Sequence, residues 1–197
     1  MLAAEVDHRS KNVLAIVQSM LQLTRASSVE EYRAAAHGRI AALGRAHTLL
    51  SESRWEGAEL RRMVDEELAP FRGDDGRRVQ VSGPAILLPP GVAQALSVAL
   101  HELATNAAKY GALSAPGGRV GVDWAATDGW LRLTWQEMGG PAVAPPRRRG
   151  FGTLVIERIV ATQLDGDARF DWRPGGLLCA IAVPLRPDHG NAGLTAA

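Results

Sequence analysis

The stretch "HELATNAAKYGALS", residues 101–114, decides how the rest of the chain is to be read. It has the composition of an amphipathic helix, yet it places an acid, an amide and a lysine where apolar or small residues would cost less. Glu102 and Asn106 are four residues apart and Lys109 is three further on, so one helical face presents a carboxylate, a carboxamide and an ammonium together. A neutral amide oxygen beside an acid and a lysine suits a magnesium ion that is also held by phosphates. An amide in mid-helix lowers helix propensity and requires partners, so a purely structural Asn106 would be expensive.

Working outward, "LLPPGV" supplies prolines suited to the start of this helix, which should run to about Tyr110. Two alternating stretches, "GRVGVDWAA" and "WLRLTWQE", follow. Thr127, Asp128 and Gly129 join them as a hairpin. "TLVIERIVATQL" reads as a helix, and "DARFDWRPGGLLCAIAVPL" as a second hairpin around Pro174, Gly175 and Gly176. Upstream, "AELRRMVDEELAPF" predicts a helix and "RRVQVSG" a short strand. Helices should cover one face of a mixed sheet.

Before residue 56 the pattern is helical only. Val6, Val13, Ile16, Val17, Met20 and Leu23 mark an amphipathic helix over roughly residues 3–25. Ser28 followed by Glu31 has the capping-box spacing, so a second helix should start there, with Tyr32, Ala36, Ile40, Leu43, His47 and Leu50 on one face. The fold class is therefore α+β. A helical hairpin over residues 1–55 precedes an α/β two-layer sandwich over 56–186, and 187–197 form a loose tail. Both stripes look wider than one partner covers, which points to a four-helix bundle in a homodimer, with docking on the second domain as the rival.

Composition narrows the class further. A net charge of +1 with no long basic run gives no footprint for nucleic acid. One cysteine, Cys179, excludes an intramolecular disulfide and fits a reducing compartment. No apolar stretch is long enough to cross a bilayer and no signal peptide opens the chain, so the expected location is cytoplasmic. His37, His47 and His189 lack metal-ligand spacing, and no structural zinc is expected.

Two glycine pairs complete the pattern. Glu137 ends a strand and leads into "MGGP", with Gly139 and Gly140. In "RRRGFGTLVIER", Gly150 and Gly152 stand just before a helix, where close backbone and free N–H groups suit a phosphate.

With these three pieces in order, the chain resembles the histidine kinases of the HWE family. That family is named for a histidine in the asparagine-box helix, here His101, and for a Trp-x-Glu in the first glycine box, here Trp135 and Glu137. "RRGFG" resembles the second glycine box, and "EVDHRSKNVLAIVQSM" the phosphoacceptor segment, with His8 as acceptor. The resemblance covers residues 3 to 186. It implies ATP and Mg2+ as cofactors, Asn106 as magnesium ligand and Lys109 as a phosphate contact. Glu137 stands where most histidine kinases have an aspartate that accepts from the adenine amino group, and Gly139, Gly140, Gly150 and Gly152 would frame the phosphates. Glu102 is left open between completing the magnesium shell and acting as a base. His101 is left open between a ligand contact and a packed histidine hydrogen-bonded to the sheet. Trp135 alternates with Leu131 and Leu133, which fits sheet packing.

The implied reaction is autophosphorylation of His8 by Mg-ATP, followed by transfer to an aspartate of a response-regulator receiver domain. Arg9 follows His8 and Asp7 precedes it, so the base is unassigned. Only seven residues precede His8, so a sensory domain would act in cis from a longer receptor or in trans from a partner. "PAVAPPRRR", between Gly140 and Gly150, is shorter than the lid loop of many histidine kinases. The rival functions are a phosphotransfer and dimerisation scaffold without catalysis, and a serine/threonine kinase or ATPase on the same nucleotide-binding fold.

Overall fold

The computed structural model describes residues 13–22, 24, 26–73, 76–142 and 151–185. His8, Arg147 to Arg149, Gly150 and the expected tail lie outside the described residues, as do Val6 and Leu23 of the first predicted stripe.

The first described element is helical over residues 13–22, here α1, in which Ile16 and Met20 are buried and Val13 and Val17 are packed against the same core. The next helix, α2, spans Val29–Glu52. Its start follows the capping logic: the Ser28 side chain accepts from the Glu31 N–H at 3.1 Å. The return contact goes one residue earlier than a capping box requires, because the Glu31 carboxylate accepts from the Ser27 N–H at 3.0 Å and from the Ser27 hydroxyl. At the other end Arg54 and Trp55 both take left-handed backbone, with φ 55° and 67°. The Trp55 N–H returns to the Leu50 carbonyl, and its ring meets His47 edge-on with centroids 5.0 Å apart.

β1 (Ala58–Glu59) leads into α3 (Leu60–Leu68) and pairs antiparallel with β3 (Leu87–Leu88), a two-stranded clamp around the start of α3 that the sequence reading did not contain. Between them, β2 (Val79–Ser82) opens the main sheet. α4 (Pro90–Lys109) starts at a proline, as expected, and ends where Tyr110 and Gly111 donate back to Asn106. β4 (Arg119–Thr127) and β5 (Trp130–Met138) form the first hairpin; Asp128 and Gly129 both have positive φ, the geometry a two-residue turn of this hand requires. α5 (Phe151–Gln163), β6 (Asp167–Arg173) and β7 (Gly176–Pro184) follow.

The sheet order is β2-β4-β5-β7-β6, parallel at β2–β4 and antiparallel elsewhere. Its register brings Val122, Trp135 and Cys179 into one cross-strand row, and Trp124, Leu133 and Ile181 into the next. All six are buried, while Asp123, Arg132 and Gln136 between them are exposed. One face of the sheet therefore carries the core and the helices, and the other faces water. Burial first, and the nearby charges of Glu137 and Glu157, push the Cys179 thiol up to about 12, so it is a packed, unreactive side chain.

The buried face of α2 differs from the one read off the sequence. Leu43 and Leu50 are buried as expected, but Ile40 is 48% exposed and His47 is exposed. The buried positions are Arg39, Ala42, Leu43, Ala46, Leu49 and Leu50. The helix is turned by about one residue because it packs along α4 and the charge on Arg39 has its partner there. The face of α2 that is buried packs on α4 within this chain, while Ile40 and His47 of the expected stripe stay exposed.

In urea unfolding, Ser28→Ala should cost about 1 kcal/mol, and Leu50→Ala, at a fully buried site, about 2–5 kcal/mol. Equal small losses would mean that α2 contributes no core.

Candidate nucleotide site

α4 sets the geometry. Along it the three expected groups pass from buried to solvated: Glu102 is buried, Asn106 half-buried and Lys109 exposed. The start of α5 closes on the first two. A Cβ added at Gly152 would stand 2.6 Å from Asn106 Nδ2 and 2.9 Å from Glu102 Oε2, so only glycine lets the α5 N-terminus come this near. The structure therefore brings Glu102, Asn106 and Gly152 together. Among the described residues the Asn106 amide has no hydrogen-bond partner, and a half-buried amide aimed at a helix N-terminus suits a cation held with an anion. On that observation the residues present fit a magnesium-bound phosphate group.

Glu102 itself is engaged. Arg39, from α2, holds both carboxylate oxygens: Nε to Oε1 at 2.6 Å and Nη2 to Oε2 at 3.0 Å. Both side chains are under one-tenth exposed. The remaining guanidinium nitrogen donates to Thr24 Oγ1, whose own hydroxyl donates to the Met20 carbonyl at 2.5 Å.

His101, one residue before Glu102, belongs to a different cluster. Its Nδ1 lies 2.7 Å from Glu67 Oε1 on α3, and Arg45 of α2 pairs with the other oxygen of Glu67. Thr105 Oγ1 is 3.5 Å from the second ring nitrogen, and Gly38 of α2 passes close over it, with room for no Cβ. His101 is packed between helices, where the sequence reading weighed a bond to the sheet.

Trp135 and Glu137 form a third cluster, at the end of β5. Trp135 is fully buried, as expected of a sheet-packing residue, and its indole N–H donates to Glu137 Oε1 at 3.3 Å. Glu137 Oε2 accepts from the Ala112 N–H at 2.7 Å. This ties the strand end to the turn after α4. Gly140 crowds the same turn: a Cβ there would stand 2.5 Å from Ala112 Cα. Gly139, with φ 70°, lies beside Gly117 and Gly118. Gly139 and Gly140 thus pack the loop against the turn after α4, while Gly150 lies outside the described residues.

Arg39, Arg45 and Glu67 were absent from the sequence reading. The available signal was spacing: positions 39, 43, 46 and 50 fit a helical stripe as well as 40, 43, 47 and 50 do, and hydropathy favoured Ile40 over Arg39.

Two buried glutamates titrate in opposite directions. Burial raises Glu137 above the ordinary value of 4.5, against the weaker pull of the Ala112 and Trp135 donors. For Glu67 burial also acts upward, but His101 and Arg45 outweigh it and the net shift is down. Folded Glu137 binds more protons than the unfolded chain between the two pKa values, so its contribution makes stability fall as pH rises through that window. Glu67 contributes stability that is present above the ordinary carboxylate range and is lost as pH falls through its folded value. Carbon-13 NMR of the glutamate carboxyls should place the Glu137 midpoint above 4.5 and the Glu67 midpoint below it; the reverse order would show that these partners are wrong.

Solved structures give the fold. The fold matches a blue-light-activated histidine kinase of Erythrobacter litoralis with TM-score 0.68 and 23% identity, over 92% of this chain and 58% of that one. It also matches the histidine kinase domain of an Erythrobacter litoralis blue-light-activated histidine kinase with TM-score 0.63 and 16% identity, over 91% and 94%. The fold is thus that of histidine kinase domains. Residues 5–85 match the sequence model of the HWE histidine kinase. The chain is 40% identical over 185 residues to a blue-light-activated histidine kinase of Rhizobium johnstonii, covering 93% of this chain and 53% of that protein. It is 39% identical to blue-light-activated histidine kinase 1 of Erythrobacter litoralis, again over 93% and 53%. The chain belongs to the HWE histidine kinase family. It spans about half the length of these two relatives. Among the described residues no helix is long and apolar enough to cross a membrane.

Proposed function

We propose that the chain is the catalytic core of an ATP-dependent protein-histidine kinase, with His8 as phosphoacceptor. The observation that carries this is the close approach of Gly152, at the start of α5, to the Asn106 amide and the Glu102 carboxylate on α4, on a fold shared with histidine kinase domains. Residues 1–55 serve as the dimerisation and phosphoacceptor hairpin, 56–186 as the ATP-binding domain and 187–197 as a tail.

In this reading Asn106 ligates Mg2+, which neutralises phosphate charge when bound. Lys109, exposed one turn on, contacts a phosphate. Gly152 and Gly150 let the backbone near α5 approach the phosphates, and Gly139 and Gly140 hold the opposite loop. Glu137 recognises the adenine amino group: Ala112 and Trp135 occupy two of its roughly four acceptor positions, leaving capacity for a donor from the base. His101 and Trp135 support the site from behind through Glu67 and Glu137.

His8 reacts as neutral imidazole, the dominant form above its reference pKa of about 6.5. A ring nitrogen attacks the γ-phosphorus, the bond to the β–γ bridging oxygen breaks, ADP departs, and the ring proton is released. The phosphoryl group then passes to an aspartate carboxylate of a receiver domain. Positioning and charge neutralisation supply most of the acceleration. A homodimer and a response regulator are the partners this reaction calls for.

Incubation with γ-labelled ATP and Mg2+ should give acid-labile, base-stable label on the wild type. Both His8→Ala and Asn106→Ala should reduce it by roughly a hundredfold or more. Label that persists in His8→Ala places the acceptor elsewhere. Label that persists in Asn106→Ala removes the magnesium assignment, and nucleotide binding without label would favour a non-catalytic scaffold.

A further inference from the structure

We infer that Arg39 is a positioning residue that registers the phosphoacceptor hairpin on the nucleotide site by clamping Glu102, and that Glu102 is its docking partner, neither base nor magnesium ligand. This rests on the kinase reading above.

The geometry leaves Glu102 little else to do. Its two oxygens are taken by two nitrogens of one guanidinium, at 2.6 and 3.0 Å, in a site from which water is nearly excluded. A carboxylate acting as a base needs to be free to take the proton it removes, and the bidentate guanidinium instead engages both Glu102 oxygens and favours the ionised form. The fork of arginine is matched to that planar pair, and lysine would not reproduce it.

The contact is directional as well. From Glu102, one turn before Asn106, it runs through Arg39 to Thr24 and on to the Met20 carbonyl near the end of α1. His8 precedes α1 in the chain. One buried network therefore fixes the helix that follows the acceptor against the helix that carries the proposed magnesium ligand. Arg45, Glu67 and His101 make a second charged contact between α2 and the same domain. It ends on α3 and on His101, and among the described residues its hydrogen bonds do not include Asn106 or Gly152.

A residue that registers two domains should govern the chemical step and spare nucleotide binding. The test uses Arg39→Gln, Glu102→Gln and the double variant. Each single change should lower the kcat of His8 labelling by roughly tenfold or more. The KM for ATP should stay within about twofold and the binding stoichiometry at one nucleotide per chain. The double variant should be no slower than the slower single variant, because both changes break one contact.

In the nucleotide-free protein, amides of α2 and of the Met20–Thr24 segment should exchange with solvent faster in each variant, while β4 and β5 amides keep their protection. Multiplying effects in the double variant would show that Glu102 acts independently and would overturn the assignment. So would unchanged kcat in Arg39→Gln, raised KM with kcat retained, or reduced stoichiometry, which would mean only lost fold. The exchange measurement needs no catalysis, so it reads the clamp even if Asn106→Ala shows the kinase reading to be wrong.

Discussion

Two charged groups taken out of water between α2 and α4 set the relation between the halves of this chain. Arg39 and Glu102 are both nearly inaccessible, and each is hydrogen-bonded through the other. The desolvation of such a pair consumes most of its Coulombic attraction, so it adds little net stability compared with a packed apolar pair. What it supplies is geometric selectivity. An apolar stripe on α2 can slide or rotate along α4 at small cost, whereas leaving one member of a buried pair alone costs about 3–5 kcal/mol. That penalty explains why α2 is turned to bury an arginine and leave Ile40 in water.

A different carboxylate organises the sheet end of the site. Glu137 sits on the last buried position of β5 and reaches the Ala112 N–H, which closes the turn after α4 onto the strand. That closure requires backbone to pass very near the carboxyl. A Cβ at Gly111 would stand 1.9 Å from Glu137 Oε2, and one at Gly176 would stand 2.1 Å from the Glu137 carbonyl oxygen. The glycines at these positions are thus set by one side chain and its backbone. Among the described residues Glu137 meets neutral donors and burial dominates its titration, whereas Glu67 meets His101 and Arg45 and their pull prevails over burial. Equal burial of like groups gives opposite chemistry when the partners differ in charge.

The elements whose residues obey one rule at a time were legible in the sequence. α4 opens at prolines and keeps its apolar face throughout; the β4–β5 hairpin alternates cleanly into an Asp-Gly turn; Ser28 caps α2. What escaped were features in which two rules conflict. Hydropathy assigns Ile40 to the core and Arg39 to water, and only the remote Glu102 reverses the order. β1 and β3 are two residues each, too short for any alternation to register. His101 pairs with a glutamate 34 positions away in the chain, a separation at which local pattern carries no information. In the candidate site, the acid, amide and glycine that approach one another were named from spacing, but the pairing that occupies Glu102 was not.

The hairpin therefore meets its surroundings in two chemically different ways. Its contact with α4 and α3 is anchored by charged groups, Arg39 to Glu102 and Arg45 to Glu67. Leu14 and Leu21 on α1 and Val29 and Ile40 on α2 are instead left exposed. A charged contact competes directly with water and ions for each hydrogen bond, so its two states differ by the exchange of specific partners. An apolar contact gains from burial in any register that excludes water. For the proposed reaction this division is useful in a definite sense: a histidine must be held against one γ-phosphorus in one orientation, and placement within about an ångström controls the rate. Directional hydrogen bonds from a guanidinium fork meet that requirement, and a non-directional apolar contact does not.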